Sequence, residues 1–474
     1  MPTKRMSESV GSTPAARVMA SKSARCMDMV CSCHIWWSRV RLASRAAYAD
    51  DQRTLTEVKR VARQTRQGNG DPLWRLARSR GLNRRRFLTL LLAGGTAAVL
   101  AACGDAIPER SGGADQSVAS VEPPLVFKDP TPFIDHGQAG LEARLELQTG
   151  SITSNEQFFV RNNSRSVDLD IERWSLVIEG DAVDEGTELR FDDILRLPQR
   201  RMTSYLECAG NHRMMFDLLH GRAAKGTQWG RGAIGNAEWT GVSLADVLTL
   251  AGVQETAVSV LLIGLDPESP EGGFRRAMPI EKAMHPDTLL VHRMNGEALP
   301  TDHGFPLRAI VPGWVGSSQI KWLGRIVASA EPQWTRNNTT SYVLIGDGYE
   351  PEGEAVGRVV TLQSIKSALA LPWPARLSAT RHQLAGYAHS PYGKIASVEW
   401  SDDAGTTWHR ARLASRQVEY GWVQFAFEWN ASVGEHTIRT RATDMDGNTQ
   451  PESVPFNEKG YLFNQLLPHP ISVA

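Results

Sequence analysis

Cys208 lies in the stretch Leu206-Glu207-Cys208-Ala209-Gly210-Asn211-His212-Arg213, after an apolar, strand-like approach and just before a glycine. The chain has 5 cysteines, and the others, Cys26, Cys31, Cys33 and Cys103, all fall at or before position 103. Removal of an export signal ending there would leave Cys208 with no intramolecular disulfide partner. A lone cysteine of that kind suggests a reactive thiol or a metal ligand. The alternative is an inert buried thiol, which behaves as a small hydrophobe. Spacing alone leaves both open. Cys31-Ser32-Cys33-His34 is not a c-type haem site, which needs two residues between its cysteines.

The elements that would position Cys208 read as mixed. Ser175-Leu176-Val177-Ile178-Glu179 and Ser259-Val260-Leu261-Leu262-Ile263 have strand patterns, whereas Leu244-Ala245-Asp246-Val247-Leu248-Thr249-Leu250 and Glu281-Lys282-Ala283-Met284 have helical ones. The two types do not alternate regularly, so the expected class is α+β rather than a doubly wound sheet. From about residue 371 the chain reads all-β. Ala396-Ser397-Val398-Glu399-Trp400-Ser401 is a strand, and Asp402-Asp403-Ala404-Gly405 is a turn before Thr406-Thr407-Trp408. Residues 422–429 and 437–443 alternate, the second run ending in the turn Asp444-Met445-Asp446-Gly447-Asn448. Short strands with frequent turns over such a length suit an immunoglobulin-like β-sandwich.

The 474 residues carry a formal net charge of zero, but the charge is unevenly placed. Residues 1–86 hold 19 Lys and Arg against 6 Asp and Glu, so the remainder is acidic and gives no argument for nucleic acid. Asn83-Arg84-Arg85-Arg86-Phe87-Leu88 is a twin-arginine pattern, followed by an uncharged run over residues 87–102 that is interrupted by Gly94-Gly95. That run is short for a membrane span. It closes in Leu100-Ala101-Ala102-Cys103-Gly104, which resembles a lipoprotein cleavage site whose cysteine is acylated. The expected organisation is a basic leader over 1–82, disordered or the product of a misassigned start, then a signal over 83–103 and a Gly, Ser, Pro and acid-rich tether over 104–123. A catalytic domain is expected over 124–340, a linker over 341–370 and the sandwich over 371–474. The expected location is the extracytoplasmic face of the bacterial membrane, with a lipid anchor at Cys103.

Several segments occur together in the body: Phe158-Phe159-Val160-Arg161-Asn162, Leu206-Glu207-Cys208-Ala209-Gly210-Asn211, Lys225-Gly226-Thr227-Gln228-Trp229-Gly230, Trp239-Thr240-Gly241, Asp302-His303-Gly304-Phe305-Pro306-Leu307-Arg308 and Ile320-Lys321-Trp322-Leu323. In this order the body resembles the sulfite oxidase family of molybdenum enzymes over residues 125–474. The resemblance implies an α+β molybdopterin-binding domain followed by an immunoglobulin-like dimerisation domain. It implies Mo-molybdopterin as cofactor, with Cys208 as the thiolate ligand of molybdenum; a soft sulfur suits a metal already held by sulfurs. Arg161, Asn162, Asn163, Asp266, His303, Arg308, Gln319, Ile320 and Lys321 match cofactor-holding positions, where a phosphate seeks Arg, Lys and backbone N–H groups. Arg161, Arg213, Trp229, Tyr342 and Lys459 match substrate-facing or catalytic positions. Asn163 stands where such enzymes commonly place histidine, and Lys459 where they often place arginine, so the fork of a guanidinium is lost there.

The function so implied is oxidation of sulfite to sulfate by oxygen-atom transfer. Electrons would leave to a separate acceptor such as a c-type cytochrome, since the body holds no haem motif, and the chain would form a homodimer. Two alternatives stand beside this: a related reductase acting on a sulfoxide or another small oxyanion, and a non-enzymatic, anion-binding surface lipoprotein in which Cys208 is inert.

Overall fold

A computed structural model describes residues 124–474. The basic leader, the twin-arginine signal, Cys103 and the tether lie outside the described residues. Among the described residues no helix is long and apolar enough to cross a membrane.

Two sheets frame the first part of the fold. In one, the antiparallel pair Gln199–Glu207 and Ile234–Ser243 continues through Leu289–Met294, which also pairs with Glu297–Ala298 and Arg308–Ile310. In the other, the order is Thr187–Arg190, Ser175–Glu179, Leu323–Ser329, Ser259–Gly264, Arg275–Pro279. Here Leu323–Ser329 runs parallel to Ser175–Glu179 and antiparallel to Ser259–Gly264. Period-2 burial explains the flank: Leu176 and Ile178 are fully buried while Ser175, Val177 and Glu179 are not. Ser259–Gly264 is buried at every position, as a strand covered on both faces must be. The helix Leu244–Leu250 buries Leu244, Val247 and Leu248, an i, i+3, i+4 stripe. These side chains join Val242, Val260, Leu290 and Ile326 in one core. Each fully buried Leu or Ile there contributes roughly 1.5–3 kcal/mol. A smaller sheet of Ile134–Asp135, Gly140–Glu142 and Val160–Arg161 carries Arg161.

The sandwich consists of Lys366–Leu369, Arg381–His389, Val423–Asn430 and Arg412–Leu413 in one sheet. The other holds Ala375–Leu377, His469–Val473, Gly434–Asp444, Ile395–Ser401 and His409–Arg410. Phe425 and Phe427, on one parity of their strand, are both buried in its core with Val398, Ile438 and Ile471. The sandwich begins before the expected boundary at 371. Lys366–Leu369 pairs in register with Arg381–His389, and its polar head was unreadable as a strand because Lys366 and Ser367 are buried by partners distant in sequence.

Candidate functional site

Cys208 is the first residue past the strand Gln199–Glu207, whose last ladder partner is Ile234. Its N–H donates to Ala233 O at 2.9 Å and its carbonyl accepts from Asn211 N at 2.9 Å, so the chain turns tightly around it. Asn211 is buried and spans the turn, donating Nδ2 to Glu207 Oε1 at 2.8 Å and accepting from Ala233 N at 3.1 Å. The facing segment is fixed by Glu142, whose carboxylate accepts from the backbone N–H groups of Gly230, Arg231 and Gly232 at 2.8, 2.8 and 2.9 Å. Gly232 is required there, because a Cβ would collide with the Ala143 carbonyl.

Cys208 lines a cavity with Phe158, Phe159, Arg161, Asn162, Asn163, Asp266, His303, Arg308, Gln319, Lys321 and Tyr342. The expected cofactor positions thus converge from five separated segments, with one exception. Ile320 is 1% exposed and packs into the large core; strand-like alternation sends its side chain away from the cavity that Gln319 and Lys321 line.

One end of the cavity is strongly cationic. Arg308, 2% exposed, donates Nη1 to His303 O at 3.0 Å and Nη2 to Gln319 O at 3.1 Å, and no carboxylate among the described residues pairs with it. Burial alone brings its pKa down to about 9. Lys321 Nζ donates to Asn162 Oδ1 and to Asp302 O, both at 2.6 Å; desolvation first, then Arg308, hold it well below the usual lysine range. Lys128 Nζ donates to Asn155 O and Phe158 O at 2.7 Å and lies 2.9 Å from His303 Nε2. Desolvation brings Lys128 down to about 7, against the pull of Asp302. His303 is kept well below its ordinary value by burial and by Lys128, Lys321 and Arg308. Asp302 is the carboxylate of this group. Its oxygens are already taken by Ser166 Oγ at 2.6 Å and by the N–H groups of Phe127 and Lys128 at 2.9 and 2.7 Å. Cations desolvated with so little counter-charge are costly unless an anion completes them. The donor set fits the phosphate-bearing pterin of molybdopterin. A metal beside Cys208 must bring most of its ligands with it, since no three His, Cys, Asp or Glu side chains converge among the described residues.

The remaining expected residues divide. Arg161 reaches the wall and donates Nη2 to Asn163 Oδ1 at 2.8 Å. Asp266 is 1% exposed and accepts from Phe274 N at 2.9 Å and from Ser269 Oγ. Tyr342 follows a single π-helical turn, Asn337–Ser341, and stacks on Tyr461 with ring centres 5.5 Å apart. Arg213 sits behind the Cys208 turn, donating Nε to Lys459 O at 2.7 Å and Nη1 to Thr227 O at 2.6 Å, with its guanidinium over Tyr461. Gly210, Gly226 and Gly460 leave space for it: a Cβ on each would come within 2.6 Å of Cζ, 2.9 Å of Nη1 and 2.6 Å of Cγ respectively. Three expectations are corrected. Arg213 does not line the cavity, its guanidinium being buried against two carbonyls and the Tyr461 ring. Trp229 is not in the cavity wall; it is 1% exposed in the core cluster beside Cys208, edge-on to His136. Lys459 does not line the cavity; its backbone carbonyl accepts from Arg213 Nε.

Lys128, Asp302, Glu142 and Tyr461 were not singled out in the sequence. A lone lysine next to an expected tether gives no spacing signal. Tyr461 lay within two residues of Lys459 and was readable only as a neighbour.

The chain matches two family models, "Oxidoreductase molybdopterin binding domain" over residues 163–336 and "Mo-co oxidoreductase dimerisation domain" over residues 337–472. It is similar to the mitochondrial sulfite oxidase of Drosophila melanogaster, 33% identical over 335 residues covering 66% of this chain and 58% of the relative. It is also similar to the sulfite oxidase of Arabidopsis thaliana, 31% identical over 364 residues covering 67% and 88%. The chain spans about six tenths of the length of the mitochondrial relatives it matches. Among solved structures it resembles the sulfane dehydrogenase SoxCD from Paracoccus pantotrophus, with a TM-score of 0.62 and 25% identity over 75% of this chain and 92% of that one.

Proposed function

Because the chain belongs to the sulfite oxidase family of molybdopterin-dependent oxidoreductases, we propose that it oxidises a small sulfur oxyanion, with sulfite as substrate and sulfate as product. The observation that carries this reading is the single cavity wall shared by Cys208, the basic side chains Arg308 and Lys321, the His303 imidazole, and Arg161.

In this reading His303, Arg308 and Lys321 hold the phosphate-bearing part of the cofactor, with Lys128 behind them against His303, Asn162 and Asp266 hydrogen-bond it, and Cys208 supplies a thiolate to the metal. When bound, the cofactor supplies a redox-active molybdenum that takes up two electrons and exchanges an oxygen atom. The protein supplies position and charge. Arg161, at the wall, attracts the anion and binds its oxygens through the guanidinium fork. Arg213 adds positive charge from behind the turn, held in one orientation by carbonyls on two sides. Conversion of sulfite and water to sulfate releases two electrons and two protons, and the Tyr342 phenol, which lines the cavity, relays one proton by giving up its own as it takes another. A separate acceptor such as a c-type cytochrome takes the electrons. The sandwich serves as a homodimer contact, and the protein acts at the extracytoplasmic face of the membrane, tethered through Cys103.

Sulfite-dependent ferricyanide reduction by the purified full chain tests the reading. Turnover with sulfite and none with a sulfoxide oxidant supports it; sulfoxide reduction without sulfite oxidation overturns it.

A further inference from the structure

The residues on either side of Cys208 are tied to the C-terminal part of the chain. Glu207, fully buried, accepts from Lys366 Nζ at its Oε1 at 2.7 Å, and Lys366 is the first residue of the first sandwich strand, itself 2% exposed. The Glu207 carbonyl accepts from Gln363 Nε2 at 2.7 Å. On the other side, the Ala209 carbonyl accepts from Leu462 N at 2.9 Å. Leu462 has φ 56°, a left-handed conformation that a leucine adopts only when its surroundings enforce it. His389 Nε2, from a second sandwich strand, lies 3.5 Å from the other carboxylate oxygen of Glu207, which has no hydrogen-bond partner among the described residues.

Other bonds also join the two parts, among them those from Arg231 to the Leu369 and Leu371 carbonyls, from Tyr387 to the Gln148 carbonyl and from Trp422 to the Ser151 carbonyl. The ties at Glu207 and Ala209 differ in what they bracket, the one residue between them, whose sulfur lines the cavity. Ladder pairing ends at Glu207, so beyond it the turn is held by the Cys208 and His212 N–H bonds to the Ala233 and Gly230 carbonyls, by Asn211 and by these ties. A metal ligand must be held to within roughly 0.5 Å of its productive position. We propose that the sandwich strand starting at Lys366, together with the adjoining segments that carry Gln363 and Leu462, is a positioning element for the Cys208 thiolate, with the buried Glu207–Lys366 pair as its principal strut. The inference rests on Cys208 being the metal ligand proposed above.

The test uses the full chain carrying Glu207→Gln with Lys366→Met, which removes both charges together and so leaves no uncompensated ion in the core. Gln363→Leu, which removes the tie to the Glu207 carbonyl alone, is the second variant should the first not fold. Glu399→Gln with Arg441→Met, which breaks an ion pair of 2.9 Å inside the sandwich and away from the turn, is the control for a general loosening. Alkylation of Cys208 by iodoacetamide is followed by peptide mass spectrometry, beside kcat and KM for sulfite. The strut variants are expected to raise the Cys208 alkylation rate about fivefold or more and lower kcat about tenfold, with KM within about twofold of wild type. The control is expected to leave the alkylation rate unchanged. Unchanged alkylation in both strut variants, or an equal rise in the control, overturns the proposal. If the wild-type chain contains no molybdenum, the cofactor reading fails separately, and the alkylation rates alone decide whether the strut holds the thiol.

Discussion

Lys321 donates its ammonium to the side-chain oxygen of Asn162 at 2.6 Å, joining the segment that follows Arg161 to the segment that holds Arg308. This bond sets the substrate-side arginine and the cofactor-side cations on one frame. Lys321 also donates to the Asp302 carbonyl at 2.6 Å, and its charge otherwise meets only the already occupied Asp302 carboxylate among its attractive partners. An anion in the cavity completes it.

Lys321→Met is therefore expected to lower molybdenum content per chain about tenfold or more, while the cofactor-free protein stays folded because a costly desolvated charge has been removed. Metal analysis beside a thermal melt checks both halves. Full molybdenum content in the variant would show that the lysine does not hold the cofactor.

The cationic group also sets a pH dependence for the cofactor-free protein. Lys128 has a folded pKa of about 7 against an ordinary 10.5, so between those values the unfolded chain binds a proton that the folded chain does not. Stability must then rise with pH through that window, at up to about 1.4 kcal/mol per pH unit for one such group. Lys321 is shifted in the same direction and adds with the same sign. His303, also lowered, contributes a rise that is complete once pH exceeds the ordinary histidine value. Denaturation midpoints of the cofactor-free chain at pH 7 and pH 9 are expected to rise more for wild type than for Lys128→Met; equal rises would contradict the linkage.

Gly210→Ala places a Cβ within 2.6 Å of Arg213 Cζ, and the guanidinium must leave its two carbonyls. The expected result is a KM for sulfite raised about tenfold with a smaller change in kcat, the pattern for lost anion binding. Steady-state kinetics beside Arg213→Gln checks it. An unchanged KM in both variants would remove Arg213 from substrate binding.

Gly235→Ala tests the packing beneath the cavity. Its Cβ would lie 2.5 Å from the Phe158 ring, and Phe158 is wedged edge-on against both Trp239 and His303. Overpacking here is expected to cost about 1–3 kcal/mol and to lower cofactor content by displacing His303. Denaturant unfolding and metal analysis measure the two effects.

Much of this was legible in the sequence, for identifiable reasons. The alternation of Leu176 and Ile178, the helical stripe of Leu244, Val247 and Leu248, and the shared parity of Phe425 and Phe427 are apolar signals, and apolar burial needs no distant partner. The cavity positions from Arg161 to Lys321 were legible because they fall in ordered segments of one family resemblance. Lys366 and Lys128 were not. A lysine reads as solvated, and its inward placement depends on Glu207 in one case and on His303 and two carbonyls in the other. Ile320 and Lys459 failed differently: the segment was right, but which atoms face the site depends on the local direction of the chain.

The most direct test of the account is the Cys208→Ser variant of the full chain, assayed for molybdenum content and for sulfite-dependent ferricyanide reduction. The wild type is predicted to hold about one molybdenum per chain and to turn over sulfite, while Cys208→Ser, folded to the same melting temperature, loses sulfite turnover by about a thousandfold or more. Sulfite oxidation near the wild-type rate in Cys208→Ser, or in chain free of molybdenum, would contradict it.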